Sequence, residues 1–175
     1  MTDQTGPVPS PVTGPGPGPD QVGPDDAVRT PPGPSGRVVL AEVVSTELSA
    51  AECAVMVSSR ASGAVVTFEG VVRDHDEGRG VTALHYEGHP SAGDVAREVA
   101  EQIAAEHPAA TIAVQHRVGD LDVGDVALAC AVASAHRAEA FAACSDLVDL
   151  VKERLPIWKR QAFADGTDEW VASLG

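Results

Sequence analysis

The sequence has few basic residues for its length. Twelve Lys and Arg face 26 Asp and Glu across 175 residues, which leaves a formal net charge of −14 at pH 7. A chain this acidic lacks the basic face that nucleic-acid phosphates require, and it has no charge attraction for anionic lipid headgroups. No apolar run approaches the roughly 20 residues of a membrane-spanning helix. We therefore expect neither nucleic acid nor a membrane as a partner.

Cysteine is also scarce. Cys53, Cys130 and Cys144 are an odd number, widely spaced and each in an apolar setting. This pattern does not predict a disulfide framework, and the three thiols are interpreted as small core side chains. The N-terminus lacks the basic start and apolar stretch of a secretory signal. Together these features predict a reducing, cytoplasmic location.

Proline is nearly confined to the N-terminal segment. Residues 1–36 hold 10 of the 13 prolines and 7 of the 17 glycines. The same segment has almost no large apolar side chains, so it cannot build a packed core. We predict a disordered, partly polyproline-like tail over residues 1–36 and a single folded domain over residues 37–175.

The rest of the chain alternates strand and helix patterns. Apolar periodicity predicts helices over 49–60, 91–107 and 136–155, and strands over 37–44, 64–73, 81–87, 111–118, 126–133, 157–163 and 169–171. The strands at 64–73 and 81–87 are interpreted as a long hairpin, and the continuously apolar 126–133 as a central strand. Because the strands occur in pairs, we expect an α+β fold with a mixed, mainly antiparallel sheet and helices packed on it.

Local signals mark the ends and faces of the predicted helices. Ser49 and Ser91 each begin a capping-box pattern, and Pro156 ends the last helix. One apolar stripe of that helix is predicted to face the core: Phe141, Cys144, Val148, Val151 and Leu155.

The usual cofactor and metal motifs are absent. The sequence has no GxGxxG, Walker, GxSxG, CxxC or HExxH pattern. His85 and His89 are four residues apart, but the predicted strand ends between them, so a metal site is the weaker interpretation. No cofactor and no metal ion are expected.

Lysine is the rarest basic residue. Ten arginines accompany only two lysines, Lys152 and Lys159, which lie seven residues apart. Arginine cannot lose its proton at working pH, whereas lysine can where its surroundings disfavour the charge. Codon bias is the simpler explanation when the count is taken alone. Other basic residues lie at the ends of predicted helices and strands: Arg73, His136, Arg137 and Arg160. Folds that contain sheets often bind anions at such positions, and the alternative is that each of these side chains is simply a solvated charge.

Several blocks of the sequence carry a resemblance to one family. In order and spacing, the chain resembles the catalytic (large) subunit of molybdopterin synthase through TFEGVVRDH (67–75), HRVGDLDVGD (116–125), SAHR (134–137), KERLPIWKRQ (152–161) and DGTDEW (165–170). The resemblance extends from about Val38 to Val171 and leaves the predicted tail outside. It implies an α/β hammerhead fold, which agrees with the paired strands.

The resemblance also implies an activity and partners. The family is a sulfurtransferase that converts cyclic pyranopterin monophosphate into molybdopterin by installing two sulfurs as a dithiolene. Sulfur arrives as a thiocarboxylate on the C-terminal Gly-Gly of a small ubiquitin-like subunit. The implied assembly is a heterotetramer, a homodimer of large subunits with one small subunit at each end. The alternatives are a non-catalytic anion-binding or scaffold homologue, expected to lose one of the lysines, and a phosphate-ester enzyme without a protein partner.

Site residues follow from the same resemblance. It implies Lys152 and Lys159 as catalytic lysines, and as further substrate-binding residues Val71, Val72, Arg73, His136, Arg137, Arg160 and Gln161. Val71 stands where some relatives carry Lys, and Gln161 replaces a Glu. We expect five cationic side chains, the two lysines with Arg73, His136 and Arg137, to meet in one cavity.

Roles within that cavity are assigned by charge. Crowding by neighbouring cations would let Lys152 release its proton near neutrality and act as acid/base or engage the thiocarboxylate. Lys159 would support substrate binding. Three large apolar side chains are candidates for the wall of a groove that holds the Gly-Gly tail: Phe68, Ile157 and Trp158.

Overall fold

The computed structural model describes residues 36–172. The predicted tail, apart from Gly36, lies outside the described residues. The described part contains helices α1 (Ala50–Val57), α2 (Ala92–Glu106) and α3 (Arg137–Arg154). Its strands are β1 (Arg37–Val44), β2 (Ala64–Val71), β3 (His75–Asp76), β4 (Arg79–Gly88), β5 (Thr111–Arg117), β6 (Gly119–Asp122), β7 (Val126–Ser134), β8 (Ile157–Phe163) and β9 (Asp168–Ala172).

The first sheet has four strands in the order β1-β5-β7-β2. β1 and β5 are parallel, and the other two pairs are antiparallel. β7 lies inside this sheet and is buried along nearly its whole length, which confirms the predicted central strand. Its alternate residues face two clusters. One lies beneath α2 and α3 and the other beneath α1, so helices cover both faces of the sheet.

The second sheet is built around β4. It runs in the order β3-β4-β8-β9, and β6 also pairs with β4. The pairings are antiparallel. The predicted α+β class with a mainly antiparallel arrangement is therefore confirmed, with two sheets in place of one. No helix within residues 36–172 is both long and apolar enough to span a membrane.

The predicted hairpin over 64–87 is wrong. β2 pairs with β7, whereas β4 pairs with β6 and β8. The chain leaves the first sheet at Val72. Its N–H donates to the Asp125 carbonyl at 2.9 Å, and its carbonyl accepts from the Gly124 N–H at 2.9 Å. The Val72 side chain is buried against the second sheet. Because this anchor redirects the chain, β2 and β4 enter different sheets.

The helix signals were partly right. Ser49 caps α1, and its hydroxyl accepts the Glu52 N–H at 3.3 Å. Ser91 does not cap α2 with its side chain, because its hydroxyl lies 2.8 Å from Nδ1 of His89. α1 ends at Val57, three residues before the predicted end.

The core face of α3 also differs in one position. Pro156 follows the helix as predicted, and Leu155 is its C-terminal cap residue. Phe141, expected in the core, is 62% exposed. The buried stripe recurs at three- and four-residue intervals and leaves Phe141 on its outer flank. That stripe consists of Ala140, Ala143, Cys144, Leu147, Val148 and Val151.

Candidate active site

A cavity of about 300 Å³ opens where the two sheets meet the C-terminal end of α3. Its lining comes from six strands or strand ends and from the helix: Gly70, Val71, Arg73, Tyr86, His116, Ala127, Leu128, Val151, Lys152, Leu155, Ile157, Lys159 and Val171. Most of these side chains are apolar, and the cationic groups are few. The cavity therefore combines an apolar wall with a small number of charged groups, as ligand sites commonly do.

A smaller cavity of about 140 Å³ adjoins it. Four residues line both spaces: Val71, Arg73, Tyr86 and Lys159. The smaller space adds Val72, His75, Leu84 and Gln161. We call the two spaces together the two-compartment cleft. Lys152 lines the larger compartment, and Gln161 lines the smaller one.

The two lysines reach the cleft for a simple structural reason. Lys152 lies in the last turn of α3, directly after the buried Val151. Pro156 ends the helix, and β8 begins at the next residue. Alternate residues of a strand point to opposite faces, so Ile157, Lys159 and Gln161 face inward. The register of β8 thus brings Lys159 into the same compartment as Lys152.

Arg73 completes a group of three cations in the larger compartment. It follows the end of β2, and its side chain is largely exposed. Lys152 is also exposed, and it has no ion-pair partner among the described residues. Three of the five cationic side chains expected in one cavity are therefore together in this chain.

The other predicted cations lie elsewhere. His136 precedes α3, and Arg137 is its first residue. Fifteen residues separate Arg137 from Lys152 along the helix, which corresponds to about 22 Å at 1.5 Å per residue. Neither His136 nor Arg137 lines the cleft. Arg160 lies on the outer face of β8, with its guanidinium carbon 5.7 Å from the centre of the Trp170 ring.

Of the three apolar side chains proposed as the wall of a groove, only one lines the cleft. Ile157 is buried and lines the larger compartment. Phe68 packs against the main core cluster, while Trp158 is exposed on the outer face of β8. The wall near Lys152 is instead completed by Leu128 and Leu155.

An acidic residue that the sequence did not single out lies among the cations. Asp76 Oδ2 accepts from Nε2 of Gln161 at 2.7 Å and lies 3.8 Å from Nζ of Lys159. Asp76 Oδ1 accepts from Nη2 of Arg73 at 3.2 Å. The Gln161 hydrogen bond is the main reason why the pKa of Asp76 is below its ordinary value, and the charges of Lys159 and Arg73 add to the effect. In the predicted hairpin, Asp76 lies in the connection between the strands at 64–73 and 81–87, and the sequence alone assigned it no role.

Two aromatic side chains of the cleft were also missed. The rings of Tyr86 and His116 meet edge to face, with centroids 5.1 Å apart. Burial lowers the pKa of His116 to about 4 and raises the pKa of Tyr86. His116 Nδ1 lies 2.9 Å from the Arg117 carbonyl, which can only accept, so Nδ1 carries the proton. The neutral ring then leaves Nε2 as a hydrogen-bond acceptor. The motif at 116–125 contained this histidine but did not reveal its role.

The remaining histidines near the predicted hairpin are engaged in ordinary contacts. His85 Nδ1 lies 2.6 Å from Asp120, and His89 Nδ1 lies 2.8 Å from the Ser91 hydroxyl. Within residues 36–172, no group of three or more His, Cys, Asp or Glu could hold a metal ion.

These groups define what the cleft can do. Arginine and lysine side chains bind anions through charge-assisted hydrogen bonds, and a lysine amine can also move a proton. The fold and the cleft together define an α+β protein with a cavity at the junction of its two sheets, in which three cationic side chains could bind a small anion.

Comparison with known proteins gives the family. The model of the MoaE protein family matches residues 43–154, and the chain belongs to this family. A molybdopterin synthase catalytic subunit from a Nostoc species is 37% identical over 127 residues, which cover 71% of this chain and 77% of that protein. The resemblance found in the sequence motifs is therefore confirmed.

Solved structures agree with the fold. The X-ray structure of molybdopterin synthase from Staphylococcus aureus aligns with a TM-score of 0.71 and 29% identity, covering 75% of this chain and 96% of that chain. A complex of subunits 1 and 2 of the molybdopterin-converting factor from Helicobacter pylori aligns with a TM-score of 0.56 and 17% identity, covering 75% of this chain and 88% of that chain. The second likeness extends only to the fold.

Proposed function

We propose that this chain is the catalytic subunit of a molybdopterin synthase and acts as a sulfurtransferase. In this proposal it moves sulfur from the C-terminal thiocarboxylate of a small ubiquitin-like subunit to cyclic pyranopterin monophosphate, forming the dithiolene of molybdopterin. The observation that carries the proposal is the meeting of Lys152, Lys159 and Arg73 in one cavity of a chain that belongs to the MoaE family.

The cleft suits a pterin phosphate in both charge and shape. Arg73 and Lys159 line both compartments and offer charge-assisted hydrogen bonds to a phosphate group. The larger compartment adds the edge-to-face pair of Tyr86 and His116 together with an apolar wall. A flat heterocycle can pack against such a wall, and the unprotonated Nε2 of His116 can accept a hydrogen bond from a ring N–H.

Lysine fits the chemistry better than arginine would. Each sulfur transfer converts a thiocarboxylate into a carboxylate, and the cyclic phosphate ester opens along the way. Both changes require protons to be given and taken at the reacting atoms. We assign the acid/base or thiocarboxylate-engaging role to Lys152, which has no internal ion pair to break among the described residues. We assign Lys159 to substrate binding and charge stabilisation, since Asp76 already holds it near Arg73.

The partner is proposed on two grounds. The fold aligns with a chain from a complex of two subunits of a molybdopterin-converting factor. The larger compartment is also small, at about 300 Å³, and partly apolar, and an extended Gly-Gly segment without side chains suits such a space. Ile157 and Leu155 would form the wall beside that segment.

A homodimer would give His136 and Arg137 a place in the reaction. Within one chain these residues are about 22 Å along α3 from Lys152, too far to share one small substrate. If both ends of the helix contact the same phosphate ester, as the family resemblance implies, a second copy of the chain must supply the distant pair. The homodimer within a heterotetramer is therefore part of the proposal.

The decisive test replaces Lys152 by arginine. Lys152→Arg keeps the positive charge but removes a group that can give up its proton. We expect the variant to lose at least about a hundredfold in dithiolene formation with the thiocarboxylated small subunit, the usual order of a general acid/base contribution. Arg154→Lys is the matched control, because it exchanges the same two residue types in the same helical turn but outside the cleft.

Three outcomes separate the alternatives. Near-normal turnover of Lys152→Arg would remove the acid/base role. An unmodified chain that binds phosphate and the small subunit but forms no dithiolene would be the non-catalytic homologue. Turnover of a phosphate ester without any small subunit would indicate the third alternative.

A further inference from the structure

Asp76 lies where an anionic group of the substrate is expected to bind. Its carboxylate contacts Arg73 and Lys159, two of the three cations of the cleft. A third contact, with the amide of Gln161, is the shortest of the set at 2.7 Å. One internal carboxylate thus takes up hydrogen-bonding capacity that an external anion would need.

The position of Asp76 is set by the turn that follows it. Asp76 ends the two-residue strand β3, which pairs with β4 at Arg79 and Gly80. The turn between them uses left-handed backbone at Glu77 (φ 49°) and Gly78 (φ 80°). This short return places β3 beside the smaller compartment, which His75 lines.

The contacts of Asp76 differ in how easily they can be given up. Gln161 is buried, with 4% exposure, and comes from the inner face of β8, so it is fixed in place. The side chain of Arg73 is 67% exposed and free to rotate toward a ligand. Lys159 Nζ is 3.8 Å from the carboxylate, longer than a hydrogen bond. The two cations can therefore transfer to another anion while Gln161 keeps its place.

We propose that Asp76 is a specificity-determining residue that occupies the anion subsite between Arg73 and Lys159 in the free protein and yields it to a phosphate group. The ligand class is a phosphate monoester, and its identity as the pterin phosphate formed once the cyclic ester has opened rests on the proposed function. A phosphate monoester offers three acceptor oxygens and up to two negative charges, so it can replace both oxygens of the carboxylate. A singly charged anion, such as a cyclic phosphate ester, gains less from the exchange, and Asp76 therefore discriminates against it.

The test measures binding of inorganic phosphate to the full chain by isothermal titration calorimetry at low ionic strength. Asp76→Asn removes the charge but keeps an oxygen that can accept from Gln161. Removing a negative charge about 4 Å from the binding cations should tighten the phosphate Kd about five- to tenfold. Glu77→Gln is the matched control. It removes one charge from the next residue, whose side chain is exposed and has no hydrogen bond or ion pair within the described part of the chain.

The possible results separate clearly. Tighter phosphate binding by Asp76→Asn, with less than a twofold change for Glu77→Gln, supports the proposal. Equal tightening by both variants would mean that only the overall charge matters, and weaker binding by Asp76→Asn would mean that Asp76 merely holds the cations in place. Either result would overturn the proposal. These outcomes need no sulfur transfer, so they stand whether or not the proposed enzyme activity is found.

A second measurement uses the unmodified protein. The carboxyl group of Asp76 can be titrated by carbon-detected NMR with and without saturating phosphate. If phosphate displaces the carboxylate from Arg73 and Lys159, the pKa of Asp76 should rise on binding, because two stabilising cations are lost and an anion is gained. An unchanged titration at saturation would contradict displacement even if the Asn variant failed to fold.

Discussion

The buried side chain of His116 in the wall of the cleft can be tested through the pH dependence of protein stability. It lies on β5 with 8% exposure, packed edge to face against Tyr86 in the wall of the larger compartment. Burial lowers its pKa from 6.5 to about 4, so the ring is neutral when the protein is folded at pH 7. We consider the substitution His116→Gln, which keeps a side-chain N–H donor but removes the group that titrates.

The sign of the effect follows from the direction of the shift. Between about pH 6.5 and pH 4 the unfolded chain binds a proton at His116 that the folded chain does not. Stability from this group is therefore fully present above pH 6.5 and is lost as the pH falls toward 4. For a shift from 6.5 to about 4, the loss between pH 7 and pH 5 is about 2 kcal/mol.

The assay is urea unfolding at pH 7 and pH 5, followed by circular dichroism. The parent protein should lose about 2 kcal/mol more of its free energy of unfolding over this interval than His116→Gln does, whatever the absolute stability of the variant. The carboxyl groups with lowered pKa values, such as Asp76, lose their contribution only below their ordinary value of 3.8, outside this interval. His75→Gln, at an exposed histidine, is the control. Equal pH dependence in the parent and His116→Gln would refute the assignment of a buried neutral ring.

Two further predictions concern assembly and packing. The Lys152→Met and His136→Ala variants should each be inactive alone. If each site takes Lys152 from one copy and His136 from the other, mixing the two variants with random subunit exchange should restore activity at about a quarter of the sites. No recovery of activity after verified exchange would exclude that arrangement. Gly63→Ala should lower the free energy of unfolding, measured in urea, by more than about 1 kcal/mol, because the added Cβ would lie 2.3 Å from the Ala135 carbonyl oxygen. Gly93→Ala in α2 is the control: no atom lies within 4 Å of its added Cβ, so this substitution should be neutral or stabilising.

The elements with a continuous local signal were predictable from the sequence. The continuous apolar run over β7 and the β-branched residues of β1 were enough to predict these two strands, and Pro156 was enough to predict where α3 ends. The pairing of strands was not predictable in the same way. Whether β2 turns back onto β4 depends on Val72, whose anchoring partners Gly124 and Asp125 lie about fifty residues further along the chain. No local pattern contains that information.

The same division applies to the cleft. Lys152, Lys159 and Arg73 could be selected because their residue types and motifs suggested anion chemistry. Asp76 could not, since its importance comes from a fold-back that places it against Gln161 on a distant strand. The separation of His136 and Arg137 from the cleft was not predictable for a related reason: the family resemblance implied a role for them, but only the length of α3 shows that they cannot join the other cations within one chain.

The direct junction between α3 and β8 has a consequence for how such proteins can vary. Pro156 alone separates the capping residue of the helix from the first residue of the strand. No loop between α3 and β8 can therefore absorb a change in the number of residues between the two lysines. Inserting a single residue at this junction would turn the strand over, send Lys159 to solvent and swing Trp158 or Arg160 inward. We therefore expect the stretch from Lys152 to Gln161 to keep a constant length, since an insertion or deletion there would remove Lys159 from the cleft.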